Sequence, residues 1–342
     1  MVFGIEDASR RVAGAILPRL DFTQPVLRAL KGSSVQRIEP LTAFRACMKL
    51  IKSRRSALLV AEPGSKQMLG LVTERDFVLK MGMDKGAVTR TLVTDLMTPA
   101  AALHTAPASH TLMDCARLMA ERKVRHLPVV EEEEVRAVLS MREISQHISH
   151  TLSRRDVAEA DVMVGDMLSA IRTPGLAASL PASATVADAI EQMRATSFGA
   201  LLVLGGDGFG IFTERDYVHN VLPCCAAEEQ SAAHVSLRKA ARWATDELGY
   251  SRRMMEAVAE DPSVVDFYWP DTITCVERAT PVRDCLRLML GNGLLYVPVI
   301  DESDRPVDVI SMRDVNLFMA HGAQEGQSAE GEEGDGAEAA SA

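Results

Sequence analysis

The sequence predicts an α+β protein built from four copies of one unit, each with the order strand, helix, strand, strand, helix. Residues 70–76, Gly-Leu-Val-Thr-Glu-Arg-Asp, return almost unchanged at 210–216, and weaker copies occur at 138–143 and 309–314. Each copy is an apolar run that ends in a hydroxyl residue, any residue, arginine and an acid. Self-similarity of this kind indicates a repeated structural unit.

The first two copies follow the same order of elements. In the first copy, a helix that begins at Thr42 precedes two apolar strands, and a second helix follows Thr73. Its predicted elements are the strands Val35 to Ile38, Ala57 to Ala61 and Met68 to Val72 and the helix Arg75 to Met81. In the second copy they are the strand Leu103 to Thr105, the capping box Thr111 to Asp114 at a helix start, and the strands Arg125 to Val130 and Val135 to Leu139.

The last two copies repeat this order. In the third, Thr185 to Asp188 is another capping box, and a glycine-rich turn joins the strands Ala200 to Leu204 and Gly210 to Phe212. The fourth begins near Val264. Its predicted elements are the helix Pro281 to Leu290, the strand Leu294 to Ile300, the turn Asp301 to Arg305 and the strand Val307 to Ile310.

Two versions of the motif sequence alternate along the chain. The motif reads Thr-Glu-Arg-Asp in the first and third copies and Ser-Met-Arg-acid in the second and fourth, and the helix at 114–119 resembles the one at 284–289. The structural unit is therefore predicted to be a pair of copies. A small sheet with helices on one face leaves its other face apolar, and pairing two such sheets covers both.

These observations predict a division of the chain into two modules with additions. Residues 1–32 form an N-terminal helical arm, in which 9–20 has helical spacing. The predicted domains are module 1 at 33–152, with repeats 33–90 and 91–152, and module 2 at 153–320, with repeat 153–222, a helical insert at 223–261 and repeat 262–320. Ala240, Trp243, Leu248, Met255 and Val258 provide the apolar positions of the insert. The acidic, low-complexity tail at 321–342 is predicted to be disordered.

Composition excludes several classes of function. A net charge of -10 and the lack of a lysine and arginine stripe argue against nucleic-acid binding. No apolar run approaches the roughly 20 residues that span a bilayer, so no membrane is expected. The six cysteines show no metal-ligand spacing and indicate a reducing compartment, which we take to be the cytoplasm. Arg10 and Arg11 near the N-terminus leave a mitochondrial location as the alternative.

The repeated motif resembles that of the cystathionine-β-synthase (CBS) domain family, whose tandem pairs are called Bateman modules. The family motif, glycine, two apolar residues, threonine, two residues and aspartate, is matched fully at Gly70 to Asp76 and Gly210 to Asp216. The resemblance covers about residues 33 to 320. Within the family the chain is similar to stand-alone regulatory proteins, such as the γ subunit of AMP-activated protein kinase and the plant two-repeat CBS proteins.

The resemblance implies a nucleotide site at each motif. Asp76, Asp216 and Asp314 would accept hydrogen bonds from the two ribose hydroxyls, because a carboxylate has two acceptor oxygens. The hydroxyls of Thr73, Thr213, Ser311 and Ser140 would contact ribose or α-phosphate. Glu143 departs from the motif, and its longer side chain is expected to extend further into the cleft. A plain helix cap, worth about 1 kcal/mol, is the alternative reading of every copy.

Phosphate groups need a positive partner. Arg125 and His126 stand on the strand where the family places basic residues, so the resemblance implies that they bind phosphate. The fourth copy has Leu295 and Tyr296 at the matching positions, and a phosphate-rich ligand is less expected there. An arginine recurs in all four motifs, and pairing with neighbouring acids such as Glu74 and Glu214 is a sufficient explanation for it.

The sequence therefore predicts a regulatory protein without catalytic residues or a metal site. Its expected ligands are AMP, ADP or ATP, with S-adenosylmethionine and NAD(H) as further candidates, and its expected roles are energy sensing and control of a partner protein. A homodimer is expected, because apolar helix faces should cover an interface. Two alternatives are an interaction scaffold with empty clefts and a redox or NAD(H)-linked regulator that uses Cys224 and Cys225.

Overall fold

A computed structural model of the chain describes residues 25–30, 35–65, 67–84, 86–153, 162–171, 178–205, 208–227, 231–243 and 273–318. The predicted helix at 9–20 and the predicted acidic tail at 321–342 lie outside the described residues. Where the chain is described, it confirms the α+β prediction, because four mixed sheets each carry helices. Two compact units result, which we call the odd unit (34–103 and 176–274) and the even unit (1–33, 104–175 and 275–342).

The first half of the chain contains two copies of the predicted unit. The elements up to residue 102 are α1 Val26–Ala29, β1 Arg37–Ile38, α2 Ala43–Ser53, β2 Ala57–Ala61, β3 Met68–Thr73, α3 Glu74–Lys80, α4 Ala87–Arg90, α5 Val93–Leu96, β4 Thr98–Pro99 and a 3-10 turn Ala100–Ala102. Those that follow are β5 Ala106–Pro107, α6 Leu112–Arg122, β6 His126–Glu131, β7 Glu134–Ser140 and α7 Met141–Ser153.

The second half repeats this order with one irregular helix. Its first elements are α8 Val164–Ile171, β8 Ser179–Pro181, α9 Val186–Thr196, β9 Ala200–Gly205, β10 Gly208–Thr213, α10 Glu214–Asp216, a π-helical turn Tyr217–Val221 and α11 Leu222–Ala227. They are followed by a 3-10 turn Ala232–His234, α12 Leu237–Ala240, β11 Arg242–Trp243, β12 Val276–Glu277, α13 Val282–Gly291, β13 Tyr296–Ile300, β14 Pro306–Ser311 and a helix at 312–318, α14.

Each repeat has the same strand pairing. A first strand of two or three residues runs parallel to the middle strand, and the middle strand forms an antiparallel hairpin with the last one. In the odd unit a further short strand extends each sheet, giving the orders β1-β2-β3-β4 and β11-β10-β9-β8. In the second repeat the first strand is Ala106–Pro107 and not Leu103 to Thr105 as predicted, because it is Ala106 that lies in register with Val129.

The compact units combine alternate repeats. The odd unit has one apolar core, in which Leu50 and Phe77 of the first repeat pack with Val186 and Phe212 of the third. The even unit has a second core, in which side chains of the second repeat such as Leu127 pack with those of the fourth. The predicted modules 33–152 and 153–320 instead group neighbours in sequence, and that grouping stays a prediction.

The short helix that starts each repeat packs on a different repeat. Helix α1 precedes the first repeat, yet Val26 N–H donates to the carbonyl of His110 in the second repeat at 2.8 Å. Helix α5 precedes the second repeat, yet Val93 N–H donates to the carbonyl of Leu41 in the first at 2.7 Å. Residues 91–103, which the predicted boundaries place in the second repeat, therefore lie in the odd unit with the first repeat.

The same exchange occurs in the second half. Helix α8 precedes the third repeat but reaches the fourth, where Val164 N–H donates to Thr280 at 2.9 Å. Helix α12 precedes the fourth repeat but reaches the third, where Leu237 N–H donates to Ala184 at 2.9 Å. This exchange supplies acceptors for the first N–H groups of the longer helices, which have no partner within their own helix. At the start of helix α9, for example, Val186 N–H donates to the carbonyl of Val235 at 2.7 Å.

Part of the predicted helical insert is a strand. Residues Arg242–Trp243 pair with β10, so Trp243 was wrongly placed in a helix, whereas Ala240 does end the short helix α12. The cause is sheet extension, because β11 covers the edge of β10 in the way that β4 covers the edge of β3. The other apolar positions of the predicted insert, Leu248, Met255 and Val258, lie outside the described residues.

No helix among the described residues is both long enough and apolar enough to cross a bilayer.

Candidate functional site

The glycine that opens the motif has a packing role. Gly70 lies opposite Pro99 in the β3–β4 pair, and a Cβ atom at Gly70 would lie 2.5 Å from the carbonyl oxygen of Thr98. Gly210 lies opposite Trp243 in the matching pair of the third repeat. Close approach of a neighbouring backbone is a recognised reason for glycine inside a strand.

The threonine and aspartate of the odd motifs form a capping box. Asp76 Oδ2 accepts hydrogen bonds from Thr73 N–H at 2.8 Å and from its hydroxyl at 2.7 Å. Asp216 Oδ2 accepts from Thr213 N–H at 2.8 Å and from its hydroxyl at 2.6 Å, and Asp216 N–H donates to that hydroxyl at 3.3 Å. Each aspartate therefore uses one carboxylate oxygen to cap the start of its own helix.

The even motifs use the same arrangement. Asp314 Oδ2 accepts from Ser311 N–H and from the Ser311 hydroxyl, both at 2.7 Å. Glu143 Oε2 accepts from Ser140 N–H at 2.7 Å and from the Ser140 hydroxyl. The expectation that Glu143 extends further into a cleft is wrong, because its longer side chain folds back and caps the helix as glutamate does in many capping boxes.

The first backbone N–H group of each of these helices also has an acceptor within the protein. In each repeat the N–H of the first helical residue donates to a carbonyl just before the middle strand. The donor and acceptor pairs are Glu74 to Ser56 at 3.2 Å, Met141 to Arg125 at 3.1 Å, Glu214 to Gly199 at 3.0 Å and Met312 to Leu295 at 2.9 Å. The oriented N–H groups available to an anion are therefore fewer than a bare helix end would offer.

The second carboxylate oxygen has a different partner in each odd repeat. Asp76 Oδ1 accepts a hydrogen bond from the ammonium of Lys80 at 2.7 Å. Asp216 Oδ1 lies 3.5 Å from the amide nitrogen of Asn220, at the outer limit of a hydrogen bond. The residue one helical turn after the acid thus makes a shorter contact with this oxygen in the first repeat than in the third.

The three predicted ribose-binding aspartates differ in their exposure to solvent. Asp76 and Asp314 are 7% and 8% exposed, whereas Asp216 is fully buried. Asp216 can meet a ligand only after neighbouring side chains move. The structure therefore places all three aspartates at equivalent junctions but gives them different access to solvent.

A buried polar pair joins the first and third repeats next to the motif. Glu74 Oε1 and His219 Nε2 are 2.9 Å apart, and both side chains are buried. Beside them, Arg75 pairs with Glu214 at 3.3 Å and donates to the carbonyl of Ser197 at 3.1 Å. The arginine thus pairs with an acid, as predicted, but Glu214 belongs to the other repeat of the odd unit.

His219 was not singled out from the sequence. It stands on the π-helical turn, six residues after Thr213, and the equivalent positions in the other copies are Leu79, Gln146 and Leu317. A residue type that occurs in a single copy cannot be recognised by comparing the four copies. The only local signal was a histidine inside an apolar helix, which by itself is uninformative.

The predicted phosphate-binding residues lie beside the second motif. His126 faces Ser140 across the β6–β7 pair, and Tyr296 faces Ser311 in the same way in the fourth repeat. The Arg125 guanidinium lies 6.0 Å from the centre of the Tyr296 ring, which is the outer range of a cation–π contact. The even unit therefore brings Arg125, His126 and the hydroxyl of Ser140 together, with a tyrosine at the matching strand.

Burial makes most of the described thiols weak nucleophiles. It raises the pKa of Cys115 and Cys285 to about 12 and that of Cys275 to about 11, and burial with the charge of Glu74 raises the pKa of Cys47. Because the thiolate is the reactive form, these four cysteines are expected to resist a thiol reagent at neutral pH until the protein is denatured. Rapid labelling of any of them in the native protein would contradict this, as identified by peptide mass mapping.

Within the described ranges there is no cluster of three or more histidine, cysteine, aspartate or glutamate residues that could hold a metal ion.

The repeats match a known family. The model of the CBS domain family matches residues 93–150, 158–222 and 264–321, which together are more than half of the chain. The first repeat lies outside these ranges, although its strands and its capping box at Asp76 are those of the others.

Relatives and a solved structure point the same way. CBS domain-containing protein CBSX3, mitochondrial, of Arabidopsis thaliana is 27% identical over 110 residues, which are 32% of this chain and 53% of that protein. CBSCBSPB3 of the same plant is 23% identical over 296 residues, covering 82% of this chain and 50% of that one. The chain thus spans about half the length of these curated relatives.

Among solved structures, protein MJ1225 of Methanocaldococcus jannaschii, proposed to be an archaeal homologue of γ-AMPK, has a TM-score of 0.63 at 16% identity. The match covers 86% of this chain and 99% of MJ1225, and at this identity it shows the fold alone. With the family matched over more than half of its length, the chain belongs to the CBS domain family.

Proposed function

We propose that this protein is a non-catalytic regulator that senses an adenosine-containing ligand, of the AMP, ADP or ATP type, in clefts between CBS repeats. Binding would favour one arrangement of the repeats and so change a surface that contacts a regulated partner protein. The size of that effect is limited by the ligand's preference for one arrangement over the other. Energy sensing, a homodimer and a cytoplasmic location belong to the same proposal.

The observation that carries the proposal is that the two carboxylate oxygens of Asp76 have different partners. Capping uses only Oδ2, and Oδ1 is held by an ammonium that is itself 36% exposed. A carboxylate with one fixed oxygen and one exchangeable partner is suited to accept a ribose hydroxyl while its helix stays capped. Asp314, which is also slightly exposed and is capped through Oδ2, supports a second site.

A direct binding measurement tests the proposal. Calorimetry and thermal unfolding with AMP, ADP, ATP, S-adenosylmethionine and NADH, with and without magnesium, are expected to show binding of at least one adenine nucleotide. At a free concentration of 100 Kd, such a ligand stabilises the protein by about 2.7 kcal/mol. We expect Asp76→Asn or Asp314→Asn to weaken this effect, because asparagine keeps a capping oxygen but loses the charge.

The chain offers a matched control for these variants. Thr185 and Asp188 form a capping box with bonds of 2.7 Å, like those of the motif, but at the start of helix α9. Asp188→Asn should therefore perturb a helix cap of the same kind and leave ligand binding unchanged. The proposal fails when no adenosine compound shifts unfolding, or when Asp76→Asn and Asp314→Asn bind as well as Asp188→Asn does.

A second candidate function is an interaction scaffold that holds no ligand. It is favoured by two observations: all four motif acids complete their caps within the protein, and Asp216 is fully buried. The same calorimetry separates the two candidates, since a scaffold gives no heat with any nucleotide. A redox regulator would instead require that partner binding depend on Cys224, which Cys224→Ser would reveal.

A further inference from the structure

The Lys80 side chain joins the carboxylate of Asp76 to a second element, helix α5. Its Nζ lies 2.7 Å from Asp76 Oδ1, 2.5 Å from the carbonyl oxygen of Leu96 and 3.2 Å from that of Met97. An ammonium has three protons, and these three acceptors use all of them. Leu96 and Met97 end helix α5, whose last carbonyls have no partner within their own helix, so the lysine also caps that helix end.

The other repeats lack this arrangement. The residue four positions after the motif acid is Lys80 in the first repeat, His147 in the second, Asn220 in the third and Phe318 in the fourth. Asn220 approaches its aspartate only to 3.5 Å, and Phe318 is part of the apolar core of the even unit. A lysine one helical turn after the motif acid is therefore a feature of the first repeat.

A neutral ribose competes poorly with this cation. Oδ2 of Asp76 already accepts two hydrogen bonds from Thr73, and Oδ1 accepts one from Lys80, which leaves one acceptor position. Asp76 can therefore accept both ribose hydroxyls only after it releases the ammonium, and a charge-assisted hydrogen bond is roughly twice as strong as a neutral one. A ligand phosphate changes the balance, because it offers the ammonium a new anionic partner while the diol takes its place on Asp76. Lysine suits such an exchange, since its point charge sits on a flexible four-carbon stem.

We propose that Lys80 locks the first repeat against uncharged nucleosides and makes that site select adenosine ligands that carry phosphate. The inference rests on the proposed function, and it assigns to the first repeat both a ligand class and the residue that determines it. The lock opens when Lys80 transfers from Asp76 to the ligand phosphate. The carbonyls of Leu96 and Met97 lose their cation in the same step, which couples binding to the end of helix α5.

The test compares AMP with adenosine on the full chain by calorimetry. At the site that Asp76→Asn abolishes, the unaltered protein should bind AMP at least about tenfold more tightly than adenosine, as expected when one ion pair replaces another. Lys80→Met, which keeps the length of the side chain, should bind adenosine more tightly and AMP more weakly. The AMP to adenosine ratio should fall by about tenfold or more, a change of one decade in relative affinity.

Further variants serve as controls for this test. Lys80→Arg should keep the preference for AMP, and Lys52→Met, which removes a cation from the surface of helix α2, should leave the ratio unchanged. In an Asp76→Asn background, Lys80→Met should no longer tighten the binding of adenosine, because the carboxylate that the lysine holds is absent. Thermal unfolding of each variant without ligand identifies any that fail to fold, and Lys80→Asn, the residue of the third repeat, then replaces Lys80→Met.

The failures are distinguishable. Asp76-dependent binding of AMP whose ratio to adenosine is unchanged in Lys80→Met overturns the lock and leaves the proposed function standing. Nucleotide binding that depends on Asp314 and is indifferent to both Asp76 and Lys80 also overturns the lock. Absence of binding by AMP and adenosine to the unaltered protein and to every variant overturns the lock together with the nucleotide site itself.

Discussion

Replacing Glu74 by alanine is expected to lower the free energy of unfolding by about 3 kcal/mol, because it strips a buried imidazole of its carboxylate partner. Glu74 and His219 are 4% and 2% exposed, and their side chains meet at 2.9 Å. The loss of the carboxylate also removes a link between the first and third repeats of the odd unit.

Urea unfolding measures this loss. Glu74→Gln, which keeps an acceptor oxygen at about the same place, should cost only about 1 kcal/mol, the net worth of an ordinary hydrogen bond. Glu121→Ala, at an exposed site on helix α6, should stay within about 0.5 kcal/mol of the unaltered protein.

A double-mutant cycle isolates the pair. Glu74→Ala and His219→Ala together should cost less than the sum of the two single changes, with a coupling energy of about 1–3 kcal/mol. Additive losses would show that the two side chains do not stabilise the odd unit through each other. A loss in Glu74→Ala no larger than that in Glu121→Ala would contradict the prediction altogether.

The second large effect is expected at Gly70. A methyl group there would lie 2.5 Å from the Thr98 carbonyl and 2.7 Å from the Met97 sulfur, so strand β4 must move away from β3. Gly70→Ala should therefore destabilise the protein by about 1–3 kcal/mol, the usual cost of overpacking. The strain should fall first on the two-residue strand β4, which has few bonds to hold it in place.

Gly291→Ala is the matched control for this change. A Cβ atom at Gly291 meets nothing within 4 Å, and the residue ends helix α13. Alanine there should be neutral or should stabilise by about 0.5–1 kcal/mol, because alanine loses less backbone freedom than glycine. Equal unfolding midpoints for Gly70→Ala and Gly291→Ala in denaturant would refute a packing role for Gly70.

The number of repeats, their order of elements and the helix starts followed from the sequence alone. The hairpins of 57–73 and 200–213 and the capping boxes at Thr111 and Thr185 lie where the sequence predicted them. These features depend on residues close to each other along the chain, such as a hydroxyl and an acid three positions apart. Their physical causes, a period of two and a capped first turn, can be read directly from residue types.

The site could be predicted only in part. The Thr73 to Asp76 spacing identified the residues, but the same spacing fits a ligand site and a helix cap equally well. The tertiary structure shows that Oδ2 of Asp76 caps the helix and that Lys80 holds Oδ1 together with the end of helix α5. The Asp76 to Lys80 spacing is visible in the sequence, whereas the two carbonyls arrive from residues 16 and 17 positions further on.

The sequence by itself determined that odd copies resemble odd and even copies resemble even, because each copy preserves its own residues. Only the tertiary structure decided that these like copies share a core, that each starting helix packs on a different repeat, and that His219 meets Glu74 across 145 positions. Such contacts leave no local trace, since they arise where distant segments bury apolar faces and their polar groups must find partners there.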